Sequence, residues 1–543
     1  MLQFRRHAPM AYLEGRWMRR TSFGLAATVA LCTSMSALVA QPARGGALAY
    51  GERGPFNNFN PFASLARNAA TDRVLSMIYE PLFRFNFNLQ KWENVLGTEV
   101  RKTAPRTGKS AFVVTLRDAT WHDGTPFRAA DVVFTYEYAR KVGTTKSERD
   151  FLIDLFADIR VGEKPSEVIV EFKREVEDAR VYLREFIIPA ARFDPRTFEP
   201  TARDKDLDRA PMGTGPYRVV GFNGAPLLSR NDKYHSVVGS LETIEPRLFT
   251  DGESMVQTLL ASRNDGIGLI VELPPEEIQR VESRGGFTIE DVPSYNVLAV
   301  EMRQRPNSIL NNEKVRRAIT MAINREQLLK TWFIKGELLA SPVMKQAPAF
   351  DPTVKPIPYD QEQARRIIRE AGAAGKELRF IYPTDVGTDS HVKDVVRSIA
   401  EALKAVGITV KEDPKTIAEF ENIRLSTLDF DLAWGHWEFN QAYDVTPLFR
   451  SKSGQGMANL NNMGFSDPEF DRLASDYEKT GDDSNRQALM KSMQRLLNEK
   501  APAIFLVSEV KSYAYNVKYR IPSGAVDPFY FFTYVNRWRL GKP

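Results

Sequence analysis

One cysteine occurs in the whole chain, Cys32, and it sits inside an uncharged apolar run from Gly24 to Ala40. Arg19 and Arg20 precede the run, and Gln41-Pro42 with further small residues follows it. A basic start, an apolar middle too short to span a bilayer and a small-residue end make the pattern of a cleavable export signal. Residues 1–44 are therefore read as an export signal region, with cleavage near Ala40 and Met18 as an alternative start. Arg19-Arg20 raises the twin-arginine route, but Phe23 falls one place late, so general secretion fits better. Leu31 stands before Cys32 where a lipid-anchor motif has a small residue, which counts against lipidation. Once the signal is removed, the chain would hold no cysteine. Disulfides, thiolate nucleophiles and cysteine-based metal sites are then excluded. Such a chain must hold itself together by apolar burial alone, and its length suffices for two to four domains.

With 43% hydrophobic and 26% charged residues the composition is globular. The net charge is only +5, and Lys and Arg are interspersed with Asp and Glu. No basic stripe of the kind that neutralises phosphates is present, so nucleic acid is a poor candidate partner. No later run reaches the ~18 apolar residues that a membrane span requires. A soluble protein exported to the periplasm is expected.

Periodicity points to an α/β architecture. "AFVVTLR" (111–117) and "EVIVEFK" (167–173) alternate apolar and polar residues and predict strands. Gly51 to Pro61 is punctuated by Gly, Pro and Asn and reads as a loop after a short strand. Val74, Met77, Ile78 and Leu82 have helical spacing. In "NNEKVRRAITMAINREQLLK" Asn312 is a cap, Glu313 lies in the first turn, and Val315, Ile319, Ala322 and Ile323 form one apolar face. "YDQEQARRIIREAG" (359–372) reads as a helix between Asp360 and Gly372, and 392–412 as a helix, a glycine turn and a strand. This alternation predicts a second large lobe from about residue 306.

Motifs for catalysis fail one by one. "TGKS" (107–110) ends like a phosphate loop, but Thr103 stands where its first glycine belongs. "GTGPYR" (213–218) begins like a dinucleotide fingerprint and ends on Arg218 instead of glycine. No G-x-S-x-G elbow occurs, and no two of the five histidines have metal-ligand spacing. "ATWHDGTPFRAADVVFTYEYARK" (119–141) contains His122, Asp123 and Asp131, yet Asp123-Gly124 and Pro126 are turn chemistry and Trp121 can anchor a corner. The structural reading of that stretch is the better one.

The same stretch resembles the signature of the family 5 extracellular solute-binding proteins, the peptide, nickel and opine receptors of ABC importers. Further segments match in the family's order: 60–86, "APMGTGPYRVVGF" (210–222), "LSRNDKYH" (228–235), "NEKVRRAITMAINREQLL" (312–329), "MGFSDPEFDRL" (463–473) and 486–506. The resemblance implies a two-lobed periplasmic-binding-protein fold of type II, in the large cluster with an extra subdomain and a hinge between lobes. Carried onto this chain, lobe I would comprise 45–85, 206–305 and 507–543, the extra subdomain 86–205, and lobe II 306–506.

It also implies a non-enzymatic receptor that clamps a peptide-like or other small organic solute, needs no cofactor or metal, and works as a monomer with an inner-membrane permease and its ATPase. A metal-complex or haem receptor on the same fold, or less readily a secreted hydrolase, are the alternatives. Candidate ligand contacts lie in "DFDLAWGHWEFNQAYDVTPLF" (429–449): Trp434, Trp437 and Tyr443 offer flat faces, and Glu438, Asn440 and Asp444 offer polar anchors. Peptide receptors of the family carry an aspartate three residues after a tryptophan here. This chain has Trp437 after Trp434 and Asn440 after Trp437, so a free-amine peptide lacks its expected partner unless Asp444 or Glu438 substitutes. Asn57, Asn58 and Phe59 in the first lobe, and Tyr295 with Asn296 near the crossing, complete the candidates. Each aromatic reads equally well as lobe core.

Overall fold

The computed structural model describes residues 46–541, apart from 57, 63–67, 143–145, 200–210, 262–265, 334, 385–390, 439–443, 452–459 and 481–482, and apart from the side chains of 146–148, 150–151, 293–294, 438 and 483. The export-signal region and Cys32 lie outside the described residues. In chain order the strands used below are Ala47–Glu52 (β1), Gly97–Thr103 (β2), Ser110–Leu116 (β3), Phe156–Val161 (β4), Glu167–Phe172 (β5), Tyr217–Phe222 (β6), Pro226–Arg230 (β7), Thr243–Leu248 (β8), Leu269–Leu273 (β9), Phe287–Met302 (β10), Glu377–Pro383 (β11), Thr409–Lys415 (β12), Leu432–Glu438 (β13) and Ala503–Asn516 (β14). The helices are Ala69–Ile78 (α1), Ala129–Val142 (α2), Glu313–Ala322 (α3), Arg325–Trp332 (α4), Gln361–Glu370 (α5), Val392–Ala405 (α6), Pro468–Lys479 (α7) and Asp483–Lys500 (α8).

Local chemistry places these elements. Asn312 and Asp360 cap α3 and α5 by accepting the N–H of Lys314 and Gln363. Gly372 and Gly407 follow α5 and α6 with positive φ, where a side chain would be strained. The α1 periodicity stops at Ile78, short of Leu82, because Pro81 excludes the helical conformation at Glu80 and supplies no N–H.

One large sheet runs through the molecule in the order β12-β11-β13-β10-β14-β9-β1-β8-β7-β6. Its two halves form the two lobes. In the first, β1 lies parallel to β8 and β9. In the second, β11 lies parallel to β12 and β13. The long strands β10 and β14 belong to both. Their pairing runs from Phe287↔Asn516 to Glu301↔Ala503 and shifts register between Pro293 and Val297. β9 pairs with the C-terminal half of β14, and β13 pairs with Asn296–Met302 of β10. The register shift thus falls where the sheet passes from one lobe to the other, and such a break in the ladder lets a strand pair bend.

The cores follow the strand alternation. Leu298, Val300 and Met302 of β10 enter one core of the second lobe with α3, α5 and α6, while Val297 and Ala299 enter the other with α7 and α8. One core of the first lobe is shared with the smaller sheet β2-β3-β5-β4 and α2, and a second gathers Met255, Leu259, Ile270, Val281 and Ala514 on its other side. Each fully buried aliphatic side chain contributes about 2 kcal/mol, so a core of this extent needs no covalent staple.

The stretch 119–141 is a corner of that core. Trp121 is 3% exposed and its indole N–H donates to Asp131, 3.4 Å away. The Asp123 carboxylate closes the turn by accepting from Thr125 N and Oγ1, and Gly124 has φ 87°. His122 is clasped by the 213–215 turn, with Nε2 3.0 Å from Gly215 O and Nδ1 accepting from Gly213 N–H. Burial lowers its pKa to about 4, which keeps the ring neutral.

Candidate functional site

Where the sheet crosses between lobes, two adjoining hollows share Glu272 and Lys511 as a common wall. The first, of ≈ 150 Å³, has its walls on opposite lobes. Arg53 just after β1, Glu272 to Pro275 at the end of β9, and 509–512 of β14 form one side. Trp332 at the end of α4, Phe333, His391 and Val392 at the start of α6, and Trp434 of β13 form the other. Trp332 and His391 have ring centroids 5.2 Å apart, and with Trp434 they make an aromatic shelf. The second hollow, of ≈ 320 Å³, is polar and belongs to the first lobe and the crossing strands. It is bounded by Asn68, Asp72 and Arg73 of α1, Asn296, and Asp527 to Phe531.

A charged network ties the shared wall together. Arg73 pairs with Glu52 at 2.7 Å and with Glu272, and Lys511 Nζ lies 3.1 Å from Glu272. Burial would raise the Glu272 pKa, but Lys511, Arg73 and Arg53 outweigh it and hold the group at about 2. Burial likewise acts to lower the Arg73 pKa, and Glu52 with Glu272 overcome it, so the guanidinium is held above its ordinary value. Glu272 holds the Lys511 ammonium above its ordinary value too. Asp527 is the converse case: burial raises its pKa although its carboxylate accepts the N–H groups of Phe529 and Tyr530 at 2.9 Å. These groups form a rigid polar wall facing a flat apolar one. The pairing suits capture of a small amphipathic molecule. Among the described residues no three His, Cys, Asp or Glu side chains converge as a metal site.

Of the residues singled out in the sequence, Trp434 lines the first hollow and is also packed into the second lobe. Trp437, three positions on in the same strand, faces the opposite side of the sheet, since an odd spacing along a strand always does. There its indole N–H donates to buried Glu301 at 2.9 Å and its ring meets Phe449 and Phe505 at 5.7 and 6.3 Å. Phe59 is 1% exposed in the core of the first lobe, beside Phe56 and Phe222. Asn58 closes a local turn onto Asn60 N–H. Tyr295 is buried and stacks on Phe529 at 5.2 Å and Phe87 at 4.4 Å, which seats Phe529 in the wall of the second hollow. Asp444 lies elsewhere, in a small recess with Tyr182, Tyr477 and Arg486, and its carboxylate accepts from Thr446 N and Oγ1. Asn57, Asn440, Tyr443 and the Glu438 side chain lie outside the described residues.

Sequence reasoning missed Arg53, Arg73, Glu272, Lys511, Trp332 and His391. One signal was available: Glu272 interrupts the apolar strand "LIVEL", and Arg73 falls next to Val74 and Leu75 in the helix "AATDRVLSMI". A charge in a buried helix or strand calls for a partner.

Comparison with known proteins gives a consistent answer. A family model described as bacterial extracellular solute-binding proteins, family 5 Middle, matches residues 102–459. The chain is 25% identical over 491 residues to the glutathione-binding protein GsiB of Pectobacterium atrosepticum, covering 87% of this chain and 91% of that one. Among solved structures it resembles the oligopeptide-binding protein AppA of Bacillus subtilis in complex with a nonapeptide, with TM-score 0.74, 20% identity, and coverage of 92% of this chain and all of that one. It also resembles NikZ of Campylobacter jejuni in complex with Ni(L-His), with TM-score 0.73, 18% identity, and coverage of 91% and 99%.

Proposed function

The chain belongs to the bacterial extracellular solute-binding proteins of family 5, and on that premise we propose that it is the solute-capturing receptor of an ABC-type importer. In this reading it is exported by its N-terminal signal to the periplasm, works as a monomer, and binds a peptide-like or other small organic solute. It then presents that solute to an inner-membrane permease and its ATPase. No bond in the solute is broken. In this reading lobe I takes 45–85, 206–305 and 507–543, the extra subdomain 86–205 and lobe II 306–506.

One observation carries the reading. The first hollow has a charged wall on one lobe and an aromatic wall on the other, and β10 and β14 with their register break run between the two. A solute touching both walls stabilises the closed arrangement by its differential affinity for that state, and by no more than that. Glutathione and oligopeptides, named for the similar proteins, support a peptide-like solute. The test is native mass spectrometry of the protein purified undenatured from its host, with X-ray scattering before and after solute removal. A co-purifying small molecule, and a larger radius of gyration once it is stripped, are expected. Absence of any retained solute together with unchanged scattering would refute the proposal.

A further inference from the structure

Three cations meet at the wall between the hollows, Arg53, Arg73 and Lys511, and Glu52, Glu272 and Glu509 face them. The closest contacts of these carboxylates go to Arg73 and Lys511. Glu52 Oε2 holds Arg73, and its Oε1 accepts the backbone N–H groups of Arg53 and Gly54 at 3.0 and 3.5 Å. Glu272 Oε1 takes both Arg73 and Lys511. The Arg53 guanidinium lines the first hollow, half-buried, with no carboxylate within 4.0 Å of it among the described residues. Of the other charges lining that hollow, Lys335 is paired with Asp291 at 2.8 Å, Glu509 acts on Lys511, and Glu276 stands exposed at the rim. Opposite Arg53 is the shelf of Trp332, His391 and Trp434. A half-buried guanidinium whose donors no carboxylate engages directly presents a planar fork that a carboxylate matches in two parallel hydrogen bonds.

We infer that the captured solute carries a carboxylate that pairs with Arg53 of the first lobe while its apolar or planar part lies on the Trp332–His391–Trp434 shelf of the second. This rests on the receptor reading above and deepens it. The solute supplies Arg53 with a directly paired carboxylate, and contact with both walls couples its capture to closure. It also reverses the expected polarity of anchoring: an anion held from the first lobe, in place of an amine held from 438–444 of the second.

The test works on a mixture, so the solute can be unidentified at the outset. Stripped mature protein is incubated with the small-molecule fraction of yeast extract, and in parallel with the same fraction after methyl esterification of its carboxylates. Retained solutes are read by native mass spectrometry. The wild type is expected to retain a solute from the untreated fraction and to lose at least tenfold of that signal after esterification. Arg53→Gln should lose the same solute at least tenfold, and Arg53→Lys should keep an intermediate share, because an ammonium restores the charge without the fork. If Arg53→Gln does not fold, judged by thermal melting, the esterification arm decides alone. Retention of the solute as its methyl ester, or by folded Arg53→Gln at the wild-type level, overturns the carboxylate inference and leaves the receptor reading standing. Retention of nothing by the wild type from either fraction counts against the receptor reading and takes this inference with it.

Discussion

Glu272→Gln puts the charged wall to a quantitative test. The carboxylate has its pKa depressed from 4.5 to about 2 by Lys511, Arg73 and Arg53, and its side chain is only 18% exposed. A depression of that size corresponds to about 3 kcal/mol of folded-state stabilisation at neutral pH. Glutamine keeps the shape and one acceptor but removes the carboxylate that Arg73 and Lys511 share, so the variant should unfold about 3 kcal/mol more easily at pH 7. The pH dependence supplies the sharper check. A carboxylate with a depressed folded-state pKa contributes stability that is complete above its unfolded pKa and is lost as the pH falls through the folded value. Between pH 7 and pH 3.5 this one group should cost the wild type about 1.4 kcal/mol, and the variant lacks that loss. Urea unfolding followed by circular dichroism at both pH values should show the gap between the two proteins narrowing by that amount. A gap that stays constant, or is absent at pH 7, would refute the view that Glu272 is held ionised by its three neighbours.

The two tryptophans of β13 should part company. Trp437→Ala is expected to destabilise the second lobe by about 3–5 kcal/mol, since it empties core and strips Glu301 of a donor, whereas Trp437→Phe should recover most of the packing but not the hydrogen bond. Thermal melts of the pair measure the split. Trp332→Ala, by contrast, removes part of the aromatic shelf from a half-buried position and should weaken solute retention while leaving the melting temperature near wild type. Gly213→Ala should destabilise the protein by about 3 kcal/mol, because the new Cβ would fall 1.8 Å from the Ile78 carbonyl oxygen; an unaltered melt would contradict that close approach. His122, with its pKa lowered to about 4 by burial, contributes stability that is complete above its unfolded pKa of about 6.5 and lost as the pH falls toward 4; His122→Gln should remove about 2 kcal/mol of the loss seen between pH 7 and pH 5.

Much of the architecture was legible because it is local. Caps at Asn312 and Asp360, glycine stops, strand alternation and the Asp123-Gly124 turn are decided within a few residues, and the structure forms its elements at those places. The order of matching segments carried the family and the two-lobed fold. What a strand pattern cannot tell is which face meets solvent and which meets core. Trp434 and Trp437 look alike in sequence, and three residues of spacing put them on opposite sides of a sheet that is buried on both. The candidate site joins Arg53, Arg73, Glu272, Trp332, His391 and Lys511, spread along nearly the whole chain. No period or motif relates such positions. They meet only because β10 and β14 carry the chain across between lobes, so the charge balance of the cleft, and with it the kind of solute it suits, is a property of the tertiary structure.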